Sequence, residues 1–200
     1  MGTTDSRPRV RLAHAIYLLV LAAVTASDGR SIEGAAALVA QALGFMLVSA
    51  AVLGRLWATL FVAGRKGAEL VVDGPYASLR HPLYSWSIVA ALGIGLSTRS
   101  AILTFALPVA IGICAVFAAR REDAGFRTSH DAAWREYRDA VPAFWPMSSR
   151  NPMPEMVAVP TRIYRRAFLD AASFLTLWLA VILIEALRAG GAWASLFRLP

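Results

Sequence analysis

Five long apolar runs alternate with polar segments along the chain, at 12–27, 35–63, 83–97, 100–119 and 167–187. A helix needs roughly 20 apolar residues to cross a bilayer, so the second, fourth and fifth runs are long enough unaided. The first and third, with 16 and 15 residues, span once their flanks are included. No segment keeps the two-residue period of a half-buried strand, and hydrocarbon accepts only helices or closed barrels. The pattern predicts an all-α fold: one polytopic membrane helical bundle over residues 1–200, with about five transmembrane helices. Residues 1–28 also have the outline of a signal peptide, with Arg7, Arg9 and Arg11 before an apolar stretch and small residues at 23–27. The polytopic chain that follows makes a first span the simpler reading.

The polar segments carry their own signals. Glu69 to Val72 can run extended, and Asp73-Gly74-Pro75-Tyr76 reads as a turn. Pro82 suits the first helical position of the third span, where a missing N–H costs nothing. Arg99 marks a tight turn before the fourth span. That span runs unbroken into Arg120-Arg121-Glu122-Asp123, which places the acidic pair at membrane-surface depth. Asp131 is a candidate N-cap for a cytoplasmic amphipathic helix, with Trp134, Tyr137 and Val141 on one face. Arg135, Glu136, Arg138 and Asp139 occupy the other. Five prolines from Pro142 to Pro160 make 147–166 an irregular Pro/Arg-rich cytoplasmic linker before the last span.

Composition agrees, at 58% hydrophobic residues and a mean hydropathy of +0.55. With a cytoplasmic N-terminus, fifteen of the twenty basic residues face the cytoplasm. Arg30, Arg99, Arg188 and Arg198 fall outside, and Arg55 lies within the second span. This bias predicts an integral protein of a bacterial inner membrane with its C-terminus outside. Of the basic residues only Lys66 is not arginine, which points to a GC-rich bacterial host. The net charge of +7 then reflects topology and attraction to anionic membrane lipids. Nucleic acid is not an expected partner, because the basic residues flank spans and no reader motif is present. The single cysteine, Cys114, excludes an intrachain disulfide and a thiolate metal cluster. There is no HExxH, CxxC, G-x-S-x-G or P-loop, and no metal site is expected.

Several residues can carry chemistry. His81, between Arg80 and Pro82 at the lip of a span, can donate a hydrogen bond or titrate near neutrality; it can also simply cap its helix. Glu122 and Asp123 can pair with Arg80, Arg120 or Arg121, or attract a cation. Tyr76, Tyr84, Trp134, Tyr137 and Trp145 can enclose a cationic or planar ligand, or form an interfacial aromatic belt. Arg55, inside a span, must face the bundle interior or snorkel. Asp170 is expected to pair with Arg166, and Glu185 with Arg188. His14 is placed at an interface and His130 on an exposed turn.

As an ordered set these residues resemble the isoprenylcysteine carboxyl methyltransferase family of small membrane enzymes. Arg55-Leu56-Trp57-Ala58 matches the family's Arg-x-Trp-Ala stretch, and Gly74 to Tyr84 match Gly-Pro-Tyr-x3-Arg-His-Pro-x-Tyr without a gap. Glu122-Asp123, Phe126, Trp134, Tyr137 and Val141-Pro142 follow at the family's spacings, so residues 54–146 form the methyltransferase-like core. Four positions depart. Trp86 replaces a glycine, His130-Asp131 replaces Phe-Gly, Trp134 replaces a tyrosine, and Ala118 replaces an arginine for which Arg120 or Arg121 can substitute.

The resemblance implies methyl transfer from S-adenosylmethionine (SAM) to a lipophilic small molecule or lipid at the cytoplasmic face. His81, Tyr84, Glu122 and Tyr137 would line the cofactor pocket, with Tyr76 in its aromatic wall and Arg80 and Pro82 shaping its lip. Arg55 or Arg121 would anchor an anionic acceptor. A carboxylate acceptor is favoured, with a phospholipid amine or a small thiol as alternatives. Two other classes remain: an NADPH-dependent membrane reductase, whose C-terminal pattern is similar, and a non-catalytic membrane subunit, which predicts no polar cavity.

Overall fold

A computed structural model describes residues 19–22, 24, 31–65, 69–129, 131–145 and 153–189. Residues 19–22 and 24 are helical, and from residue 31 onward the described residues form five further helices and one 3-10 turn. They are α1 (Gly34–Val62), the turn Gly74–Ala77, α2 (Pro82–Ser97), α3 (Ala101–Ser129), α4 (Asp131–Ala140) and α5 (Thr161–Ala189). No strand occurs among the described residues. α1, α3 and α5 are long and apolar enough to cross a membrane, and α2 is a shorter apolar helix. The chain is a polytopic helical membrane bundle.

The first apolar run lies mostly outside the described residues, as do the signal-peptide reading, His14 and His130. Asp131, expected as the N-cap, is instead the first residue of α4. Val20 and Val24 from that run are buried with Val48, Ile94, Leu103, Leu177 and Val181 in the main core. Two helices are longer than their apolar runs. α3 continues to Ser129, and α5 starts at Thr161, so Arg162, Arg165 and Arg166 belong to its first turns. Arginine is a good helix former, and Pro160 sets the start of α5. Glu69 to Val72 form no strand.

α1 and α2 pack antiparallel through small residues. Gly44 meets Gly93 and Ser97 at one end, and Gly54 meets Trp86 at the other. A Cβ on Gly93 would stand 2.7 Å from the Gly44 carbonyl oxygen, so the backbones touch. In a membrane such close approach replaces the missing hydrophobic drive between helices. Gly93→Ala is therefore expected to lower stability by about 1–3 kcal/mol, because a backbone oxygen cannot step aside. Gly112→Ala is the control, since a Cβ there meets nothing nearer than 3.9 Å. Thermal unfolding in detergent would compare them, and equal midpoints would refute the close seam.

α5 lies against α1 and α2. Trp178 donates its indole N–H to Ser97 Oγ at 2.8 Å and packs on Phe45. Glu185 and Arg188 pair at 3.1 Å as expected, and Arg188 also donates to the Val24 carbonyl. Beyond α2 the tight turn is present: Arg99 takes a left-handed φ of 60° and its Nε donates to the Ile32 carbonyl at 3.0 Å. At the opposite end of α2 lies the polar cluster.

Candidate functional site

The site is assembled from the first turn of α2, the continuous helix α3 and the docked helix α4. The turn before α2 depends on Gly74, whose φ of +58° disfavours side chains and whose face is covered by the Phe61 ring. This turn buries Tyr76 against Ala58, Phe61 and Val71. Pro82 then occupies the first turn of α2, as its ring requires. His81 precedes it and makes no side-chain cap bond, so helix capping does not explain this histidine.

The His81 ring turns instead toward α3. Its Nε2 is 2.9 Å from Asp123 Oδ1, and its Nδ1 is 3.8 Å from Glu122 Oε2. Arg80 donates from Nη1 to the other Asp123 oxygen at 2.8 Å and from Nε to the Val141 carbonyl at 3.0 Å. Asp123 thus holds two consecutive residues of the α2 lip with its two oxygens. Tyr84 donates its hydroxyl to Glu122 Oε1 at 3.0 Å.

The chain leaving α4 is stapled to the same lip. The amides of Arg80 and His81 donate to the carbonyls of Pro142 at 2.8 Å and Ala143 at 3.0 Å. Ser85 Oγ donates to Phe144 O at 2.8 Å, and the Phe144 ring lies 5.7 Å from that of His81. α4 has the expected two faces, with Trp134 and Tyr137 buried and the four charged residues exposed. Tyr137 donates to the Tyr76 carbonyl at 2.7 Å. Phe126 stacks on Trp134 at 5.8 Å, and the Arg80 guanidinium lies over the same ring at 5.3 Å.

These contacts enclose a cavity of about 580 Å³. Its polar wall is Arg80, His81, Glu122 and Asp123, and its aromatic wall is Tyr76, Tyr84, Trp134 and Tyr137. Val62, Leu70, Val71 and Leu83 form an apolar side, and Arg121 stands at the rim. Burial raises the pKa of the Tyr76 hydroxyl, and Glu122 adds to the effect. Burial also raises that of Tyr137, partly opposed by Arg80. Both are neutral phenols at neutral pH, suited to donate hydrogen bonds rather than to take protons.

Of the sequence-selected residues, Tyr76, Arg80, His81, Pro82, Tyr84, Glu122, Tyr137 and Arg121 all line this cavity. Arg55 does not. It donates to the Leu83 carbonyl at 3.0 Å, to Ser87 Oγ at 2.6 Å and to Asp170 at 2.7 Å, with the Phe174 ring 5.1 Å away. The expected Asp170–Arg166 pair is replaced by Asp170–Arg55. The packing of α5 on α1 brings a distant helix closer than the next turn of its own. Trp145 is 79% exposed and stands apart from the cavity. Trp86 sits over Gly54 in the α1–α2 seam and does not line the cavity.

Sequence reasoning offered Arg80 as a partner for the acidic pair, and Asp123 takes it, but the second bond of Asp123, to His81, was not foreseen. The i,i+1 offset on a helix was the available signal, since it points the two carboxylates at different neighbours. It also missed the apolar side contributed by Leu70 and Val71. Among the described residues, no group of three or more His, Cys, Asp or Glu is placed to hold a metal ion.

Residues 34–124 match the isoprenylcysteine carboxyl methyltransferase (ICMT) family. The chain is 36% identical over 139 residues to the cobalt-zinc-cadmium resistance protein CzcN of Cupriavidus metallidurans. That stretch covers 70% of this chain and 64% of the relative, just under two thirds of its length. It is 32% identical over 146 residues to the nickel-cobalt-cadmium resistance protein NccN of Alcaligenes xylosoxydans xylosoxydans, covering 73% of this chain and 68% of the relative. No solved structure gives a significant match.

Proposed function

Because this chain belongs to the isoprenylcysteine carboxyl methyltransferase family, we propose that it transfers a methyl group from SAM to a lipophilic acceptor. The observation that carries this reading is the cavity of about 580 Å³, where an apolar side faces carboxylates and phenols at one end of a membrane bundle. Its volume falls within the roughly 300–1,000 Å³ of small-molecule sites.

The residues fit the chemistry of SAM. The cofactor supplies an electrophilic methyl on a sulfonium and asks the protein for alignment and exclusion of water. Tyr76 and Tyr84 offer ring faces to a cationic or planar group. Glu122 offers a carboxylate to an ammonium or a ribose hydroxyl, and Tyr84 orients it. Trp134 already carries Phe126 and Arg80 against its ring, and so supports the wall. Asp123, Arg80 and His81 hold the lip in place.

In this reading residues 54–146 form the reacting core, the cavity opens to the cytoplasm, and the protein lies in a bacterial inner membrane with its N-terminus inside. The acceptor reaches the apolar side, and O-methylation of a carboxylate is favoured over methylation of a phospholipid amine or a small thiol. A role in metal resistance, the property for which the relatives are named, would act through a modified lipophilic molecule.

Calorimetry on the purified protein in detergent tests the proposal. Saturable SAM binding that NADPH does not compete is expected. No SAM binding by folded protein, or displacement of SAM by NADPH, would overturn it in favour of the non-catalytic or the reductase reading respectively.

A further inference from the structure

We propose that Arg121 is the carboxylate anchor of the cavity, docking the anionic end of the bound molecule. The inference rests on the methyltransferase reading for the identity of the cofactor. Three cationic or protonatable basic side chains line the cavity: Arg80, His81 and Arg121. Asp123 binds the first two, at 2.8 and 2.9 Å, and Arg80 spends its Nε on Val141. Arg55, one helix away, is taken by Asp170, Ser87 and the Leu83 carbonyl. Arg121 makes no hydrogen bond or ion pair with any described residue.

That freedom is built into the helix. Residues of an α-helix step about 100° apart, so Glu122 and Asp123 can turn toward α2 while Arg121 stays at the rim. Ala118, three residues earlier on the same face, adds neither bulk nor charge beside it. A guanidinium presents a planar fork that matches a carboxylate in bidentate fashion. Arg121 and Glu122 then offer opposite charges side by side, which suits an α-amino-acid zwitterion such as the aminoacyl end of SAM. An acceptor carboxylate is the other source of the same chemistry.

The test uses the full chain in detergent and three probes: SAM, its decarboxylated analogue and dodecanoate. Arg121 is exposed and bonds to none of the described residues, so Arg121→Gln should fold normally, as thermal unfolding would show. Arg121→Gln is expected to weaken SAM binding about tenfold or more, the loss of one charge-assisted contact, and to leave the decarboxylated analogue within about twofold. Arg121→Lys, with charge but no fork, should fall between. A loss confined to dodecanoate keeps the anchor and assigns it to the acceptor. Wild-type affinities for both SAM and dodecanoate in Arg121→Gln would overturn the anchor while the methyltransferase reading stands. Equal weakening of SAM and its decarboxylated analogue would also overturn it, since the carboxylate would then be irrelevant. If wild type binds neither adenosyl compound, the methyltransferase reading fails. The anchor then stands only on dodecanoate binding that Arg121→Gln weakens, and falls without it.

Discussion

Asp123→Ala is expected to destabilise the protein by about 3–5 kcal/mol and to abolish SAM binding, the largest effect of any single change at the site. Its carboxylate meets two cationic or protonatable groups whose side chains are only 13% and 5% exposed, Arg80 and His81. Removing it leaves an arginine with no counter-ion and a histidine with no acceptor, in a place water barely reaches. The loss also frees α3 from the lip of α2, so the cavity wall moves. Asp123→Asn keeps the shape without the charge and should lie between wild type and Ala. Chemical or thermal unfolding in detergent, followed by calorimetry on the folded fraction, would check both parts. Wild-type stability for Asp123→Ala would show that the pairing carries no load.

Arg55→Leu and Asp170→Leu are each expected to lower stability by about 3 kcal/mol, and the double variant to recover most of it. Arg55 joins three helices: its own, α2 through Leu83 and Ser87, and α5 through Asp170. Asp170→Leu strands the Arg55 charge, whose side chain is only 16% exposed, whereas Arg55→Leu leaves the 56% exposed Asp170 without its partner at membrane depth. The double change replaces the pair with apolar groups that the surroundings accept. SAM binding by the double variant separates two roles for Arg55. Retained affinity and methyl transfer would mean that Arg55 supports the Leu83 wall of the cavity only. Retained affinity with lost transfer to a long-chain carboxylate would return it to the acceptor site.

The motif residues show how far spacing could lead. Gly74-Pro75-Tyr76 and Arg80-His81-Pro82 were legible because each needs a particular backbone: a positive φ at Gly74 and a first helical turn at Pro82. The face of α4 was legible because Trp134 and Tyr137 recur at helical spacing between charges. Glu122 and Asp123 were visible as a pair, yet their division of labour was not. One orients on Tyr84 and the other on Arg80 and His81. That division depends on where α2 stands relative to α3, which spacing along one helix does not encode.

Local chemistry accounts for the helical class, the long apolar helices and the clustering of candidate site residues around two motifs. Each follows from properties carried by short stretches of chain: hydrocarbon forbids unpaired backbone, proline and glycine restrict dihedrals, and helical period sets the faces. Packing decided the rest. Asp170 chose Arg55 over Arg166, Trp86 settled on Gly54 away from the cavity, and Arg121 was left unpaired at the rim. These outcomes join residues up to 115 positions apart. Charge and size make such a pair possible, but the approach of whole helices selects it from several near-equivalent partners.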